Sequence, residues 1–144
     1  MRLLPQRGSI LLLQGIDAID LAQRAVRGHR HMAVDEPIFA EHFPGDPAYP
    51  AALEIELAGQ GGICACDFSE RGSTEIAPDA HPRRLRAIKV HRALMFTEIL
   101  PGDHVTVLAQ VLVADEMTSI FAGQLLRGDT VCAVTVLEIV FLDR

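Results

Sequence analysis

The sequence has no tryptophan, one tyrosine and six phenylalanines, although 49% of its 144 residues are hydrophobic. That shortage of rings predicts a core built on Leu, Val, Ile and Ala. Long apolar runs are also missing. Stretches such as 10–13 fall far short of the roughly 20 residues that cross a bilayer, and no secretory signal is visible at the start. Positive charge is scarce too: 13 Lys and Arg against 19 Asp and Glu give a net charge of −6, which argues against a general nucleic-acid binder. Cysteine is sparse and odd in number: Cys64, Cys66 and Cys132. Their spacing fits neither a disulfide framework nor a zinc site. Cys64 and Cys66 stand two apart on an expected helix and so point to different sides. Free, buried thiols in a reducing compartment follow, and the expected location is the cytoplasm.

At this length a single domain over 1–144 is expected, burying roughly 68–70% of its unfolded surface. Residues 9–19 and 23–34 read as two strands, with Asp17-Ala18-Ile19-Asp20 as the turn. Residues 36–40 suit one short helical turn. From 51 to about 69 the pattern becomes helical, with Leu53, Leu57, Cys64 and Phe68 spaced for one face and Pro50 suited to open the helix. Gly59, Gly61 and Gly62 lie in its middle, each costing about 1 kcal/mol relative to alanine. A helix tolerates that when something approaches its backbone closely, as a curved sheet wrapped around it would. Residues 70–82 read as a loop. The period then becomes two, over 105–113, 117–126 and 131–142, punctuated by turns at Pro101-Gly102-Asp103 and Arg127-Gly128-Asp129. The layout is α+β with a largely antiparallel sheet.

The chemistry concentrates in His42-Phe43-Pro44-Gly45-Asp46-Pro47-Ala48-Tyr49-Pro50 and the helix behind it. An imidazole on a proline-stiffened loop and carboxyl groups on the next helix are parts for moving protons around a carbonyl. Two carboxyls compete. Glu54 and Glu56 are about 200° apart around the helix, so both cannot face one cavity. Glu56 has Gln60 one turn on, on the same face, as a hydrogen-bond partner. Free N–H groups and the dipole at the helix start favour a developing negative charge, which points to the Ala51 N–H as an oxyanion donor. The other histidines (His29, His31, His81, His91, His104) have no ligand spacing and read as surface residues, and no metal site is expected.

The segment from His42 to Pro47, with Pro50, Glu56, Gln60 and Gly62, resembles the signature of the 3-hydroxyacyl-acyl-carrier-protein dehydratases of fatty-acid synthesis. Leu4-Pro5-Gln6-Arg7 and Leu100-Pro101-Gly102-Asp103 resemble further pieces of that family, so the similarity runs through nearly the whole chain. It implies a hot-dog fold, a sheet curled around one long central helix, and a dimer with two active sites, often assembled into a trimer of dimers. His42 of one chain would meet Glu56 of the other. The implied reaction removes water from a 3-hydroxyacyl thioester without a cofactor. His42 would be the base and Glu56 the acid, its pKa raised by burial. The Ala51 N–H, Gly45 and Gln60 would bind substrate. Arg83, Arg84, Arg86 and Lys89 fall in a basic stretch, residues 81–92. That stretch reads either as a solvated strand edge or as a docking patch for an acyl carrier protein. Four positions depart from the family pattern. Ala51 and Glu41 replace usual glycines, Gln6 replaces a histidine, and Met95-Phe96-Thr97-Glu98 blurs the approach to the Pro-Gly-Asp turn. Two rivals remain: an acyl-thioesterase on the same fold, and a non-catalytic acyl-binding homologue.

Overall fold

The computed structural model describes residues 3–142, so the outermost residues of the expected domain, 1–2 and 143–144, lie outside it. A 3-10 turn at Gly8–Ile10 leads into strands β1 (Gly15–Asp20) and β2 (Ala25–His31). Helices α1 (Pro37–His42) and α2 (Ala51–Arg71) follow, and then β3 (Leu85–Met95), β4 (His104–Ala114), β5 (Thr118–Arg127) and β6 (Thr130–Phe141). All six strands form one sheet in the order β1-β2-β4-β5-β6-β3, with every neighbouring pair antiparallel. This is the hot-dog arrangement that the resemblance implied: one long helix against a single sheet.

The glycines of α2 are where the sheet comes closest. A Cβ on Gly61 would stand 2.8 Å from Val107 Cγ1, and one on Gly62 would fall inside the Phe121 ring. The helix cost of those glycines is thus offset by packing that no other residue permits. The same contact corrects the expectation of a wholly aliphatic core. Phe121 is fully buried at its centre, and Phe39, Phe68 and Phe141 are buried around it. Few rings are present, but the curved sheet closes on one of them.

Three boundaries differ from the sequence reading. The first strand begins at Gly15, because Gly8–Ile10 takes a 3-10 turn. Asp17–Asp20 is strand, and the chain reverses one step later through 21–24, where Arg24 adopts φ 52°. There the Asp20 carboxylate accepts from Gln23 N at 2.9 Å, an acidic side chain closing the turn after it rather than within it. Finally, β3 is a full strand over Leu85–Met95, where the sequence left residues 81–92 open between a solvated strand edge and a docking patch. It is exposed along almost all its length, so it carries no inward-outward alternation to read. Helix α2 starts at Ala51, with Pro50 as its cap residue; the Pro50 carbonyl accepts from Leu53 N and Glu54 N at 2.9 and 3.0 Å.

Candidate functional site

Two cavities flank the first turns of α2, and the expected site residues divide between them. The first, about 300 Å³, is lined by His42, Phe43, Ala48, Tyr49, Ala51 and Glu54 together with 95–98. His42 is the last residue of α1, and the proline loop folds back beneath it. Within that loop Asp46 N donates to Phe43 O and Ala48 N donates to Asp46 O, both at 2.9 Å. Tyr49 N is tied to Ile99 O at 2.9 Å. These bonds bring the Ala48 carbonyl to 3.0 Å from His42 Nδ1. A carbonyl only accepts, so Nδ1 carries a proton, and in the neutral ring the lone pair is then on Nε2. The Phe43 ring lies against the imidazole, centroids 3.9 Å apart, and fixes its plane.

Ala51 is the first residue of α2, where backbone N–H groups have no intrahelical acceptor. It is exposed on the cavity wall beside His42. Gly45 sits at the tip of the loop with φ 86°, a turn position that favours glycine. It contributes to neither cavity wall, so its place is in the turn.

The second cavity, about 420 Å³, lies on the other side of the helix. Glu56 stands in its wall with Pro5, Gln6 and Arg86. Beyond it, an apolar channel runs between Gly59 and Ile63 of α2 and Phe121, Leu137 and Ile139 of the sheet. Two amides converge on one carboxyl oxygen: Gln6 Nε2 and Gln60 Nε2 each donate to Glu56 Oε1 at 2.8 Å. The expected Gln60–Glu56 bond is therefore present. Gln60 does more than that, for its Oε1 accepts from Leu12 N and Leu13 N at 2.9 Å and its Nε2 also donates to Ile10 O at 2.7 Å. This fully buried amide clasps the N-terminal segment to the helix.

The structure shows three things that the sequence reading did not contain. Gln6, met only as a departure from the family pattern, is a direct partner of Glu56. Glu54, the rejected competitor, lines the His42 cavity of its own chain, while Glu56 faces the other. Glu54 is also the more buried of the two, 3% exposed, and burial pushes its carboxyl up to about 7. The helical angle between the two was legible; which of them faced the histidine was not. The basic stretch is the third. Arg83 is committed, pairing with Glu70 and lying 3.6 Å above the Phe141 ring. Arg84 and Lys89 are exposed, and Arg86 reaches into the Glu56 cavity wall. Among the other histidines, His29 bonds Asp17 and His91 bonds Glu138, and the His31 and His104 rings stack. All three cysteines are buried, and none forms a disulfide.

The fold and these two cavities define a hot-dog protein with an imidazole on a proline loop and a carboxylate on the central helix. Residues 4–136 match the family model described as a FabA-like domain, and the chain belongs to that family. Over 144 aligned residues it is 26% identical to the 3-hydroxyacyl-[acyl-carrier-protein] dehydratase FabZ of Campylobacter curvus, spanning 99% of this chain and 95% of that one. The FabZ of Xanthomonas oryzae pv. oryzae is 31% identical over 102 residues, 70% of this chain and 62% of that protein. Among solved structures, the dehydratase heterocomplex ApeI:P from Xenorhabdus doucetiae superposes with a TM-score of 0.75 at 17% identity. That match covers 99% of this chain and 90% of the other, a likeness of fold.

Proposed function

We propose that this protein is a hydro-lyase that removes water from a 3-hydroxyacyl thioester to give the trans-2-enoyl thioester. The acyl group is delivered by an acyl carrier protein, in fatty-acid or polyketide-type synthesis. The observation that carries the reading is the His42–Ala48 bond. In the neutral imidazole it leaves the lone pair on Nε2, in a ring that lines a cavity whose wall is the start of α2. With the thioester oxygen on the Ala51 N–H, Nε2 takes the C2 proton and the electron pair moves into an enolate. The enolate collapses, forming the C2–C3 double bond and breaking the C3–O bond. Glu56 gives the departing hydroxyl its proton, so water leaves. His42 then holds one extra proton and Glu56 lacks one, and exchange with solvent restores both.

In one chain these groups face different cavities, and a second copy brings them together. The sheet ends on β3, eleven residues long, with Ile88, Val90, Leu94 and Met95 between 38% and 53% exposed. A long edge strand that exposes apolar side chains invites pairing with another chain. In a homodimer joined there, His42 of one copy and Glu56 of the other bracket one slot, with the apolar channel behind Glu56 holding the acyl chain. A trimer of such dimers is the higher assembly that this reading carries. Arg86, in the wall of the Glu56 cavity, and the exposed Lys89 on the same strand receive the acidic carrier. Buried cysteines outside any disulfide fit a cytoplasmic setting, and no helix among the described residues is long and apolar enough to cross a membrane.

The test is to incubate the protein with a 3-hydroxyacyl thioester. Enoyl absorbance without free thiol supports dehydration. Free thiol without enoyl absorbance makes the protein a thioesterase, and neither signal makes it a non-catalytic binder.

A further inference from the structure

We propose that the Glu54 carboxyl contacts the substrate in the His42 cavity, donating a hydrogen bond to the thioester oxygen beside the Ala51 N–H. The idea rests on the function proposed above for this cavity. Glu54 and Ala51 lie three residues apart in the first turn of α2, about 60° apart around the helix, so they share a face. Both line the cavity that holds His42. Glu54 is 3% exposed, and its Oε2 has no hydrogen-bond partner among the described residues. A carboxyl so placed is costly unless something completes its hydrogen bonding. A bound thioester offers an oxygen that gains negative charge as the C2 proton leaves, which is what a protonated carboxyl is suited to meet.

The surroundings favour the protonated form. Burial raises Glu54 to about 7. The groups facing it are His42 from α1, Tyr49 from the proline loop, Glu98 from the segment before β4 and Cys132 from β6. None of these is a permanent cation; the Arg30 guanidinium stands behind Tyr49, 5.8 Å from its ring centroid, and burial is the cause that raises Glu54. In this role the protonated form of Glu54 donates a hydrogen bond without giving up its proton to the leaving group. It stabilises the enolate, and Glu56 remains the acid that makes water.

The primary measurement is the infrared stretch of a ¹³C-labelled thioester carbonyl in a saturated acyl thioester bound to the intact protein. Such a ligand cannot be dehydrated, so the result does not depend on turnover. The carbonyl stretch should be lowered in wild type and rise in Glu54→Leu. It should rise in wild type as the pH passes through about 7, and stay low across that range in Glu54→Gln, whose amide still donates. A wild-type stretch that does not rise as the pH climbs through about 7 overturns the inference, even if Glu54→Leu fails to fold. Turnover gives the second readout. Glu54→Leu should lower kcat roughly 10²-fold with KM little changed, the usual size for one lost oxyanion donor. A kcat within about twofold of wild type would mean that the carboxyl is merely buried. Absence of enoyl product from wild type would refute the dehydratase reading while leaving the infrared result to decide on Glu54.

Discussion

The two cavities beside α2 are built from the same helix turns yet hold opposite equipment. On the His42 side lie the imidazole with a free Nε2, the first-turn N–H of Ala51 and a carboxyl, Glu54, with one oxygen unsatisfied. On the other side lies Glu56, with one oxygen gripped by two amides and a greasy channel behind it. One cavity can take a proton from carbon and steady an oxyanion. The other can hold an acyl chain and protonate a leaving group. Under the proposed reaction neither would suffice alone, and an eleven-residue edge strand, β3, is left open for a second copy.

Removing either half should be equally damaging. His42→Ala and Glu56→Ala are each expected to lower kcat at least 10²-fold, in an enoyl-absorbance assay, with the fold intact by circular dichroism. A large loss for one and none for the other would break the symmetry between the cavities. Next in size is an effect confined to the channel. Ile63 lies two turns beyond Glu56, roughly 10 Å along the axis at 1.5 Å per residue. Ile63→Phe should cut kcat/KM about tenfold for long acyl chains and leave short ones unchanged.

A smaller effect belongs to the channel mouth. Arg86→Glu with Lys89→Glu should raise KM several-fold for carrier-bound substrate and spare a small thioester analogue, an effect that fades as salt rises. Equal effects on both substrates would remove the docking role. The smallest effect concerns stability. Glu54 is raised in the folded state from 4.5 to about 7. A raised carboxyl contributes its full stability below the unfolded value and loses it as pH rises through the folded one. Glu54→Gln should therefore melt above wild type at pH 8, with the gap smaller near pH 6 and at its minimum below about 4.5. A gap that widens toward acid pH would contradict the burial of that carboxyl.

Much of this was legible in the chain. Gly59, Gly61 and Gly62 pointed to a sheet pressed against the helix, because only close approach justifies three glycines there. Glu56 and Gln60 stood one turn apart and do bond. His42 was marked by the prolines around it. What escaped depended on distance in space rather than in sequence. Gln6 meets Glu56 across fifty residues, and its amide gave no local sign of where it would land. Glu54 could be placed opposite Glu56 by helical angle, but its side of the helix depended on where the loop set His42. Strand β3 hid because an edge exposed on both faces has no alternation, and its cations read equally well as a docking patch. Arg83 shows the difference, since its charge is already engaged by Glu70 and the Phe141 ring.

The most direct measurement mixes two inactive variants. His42→Ala and Glu56→Ala chains, unfolded together and refolded, should recover about a quarter of wild-type activity, since half the dimers are mixed and each holds one intact slot. Recovery at that level, absent when His42→Ala is mixed with Glu54→Leu, is the result predicted by a slot shared between subunits with Glu54 on the histidine's side. No recovery from the first mixture would mean that the proton donor works within the same chain as His42, and the shared slot would have to be abandoned.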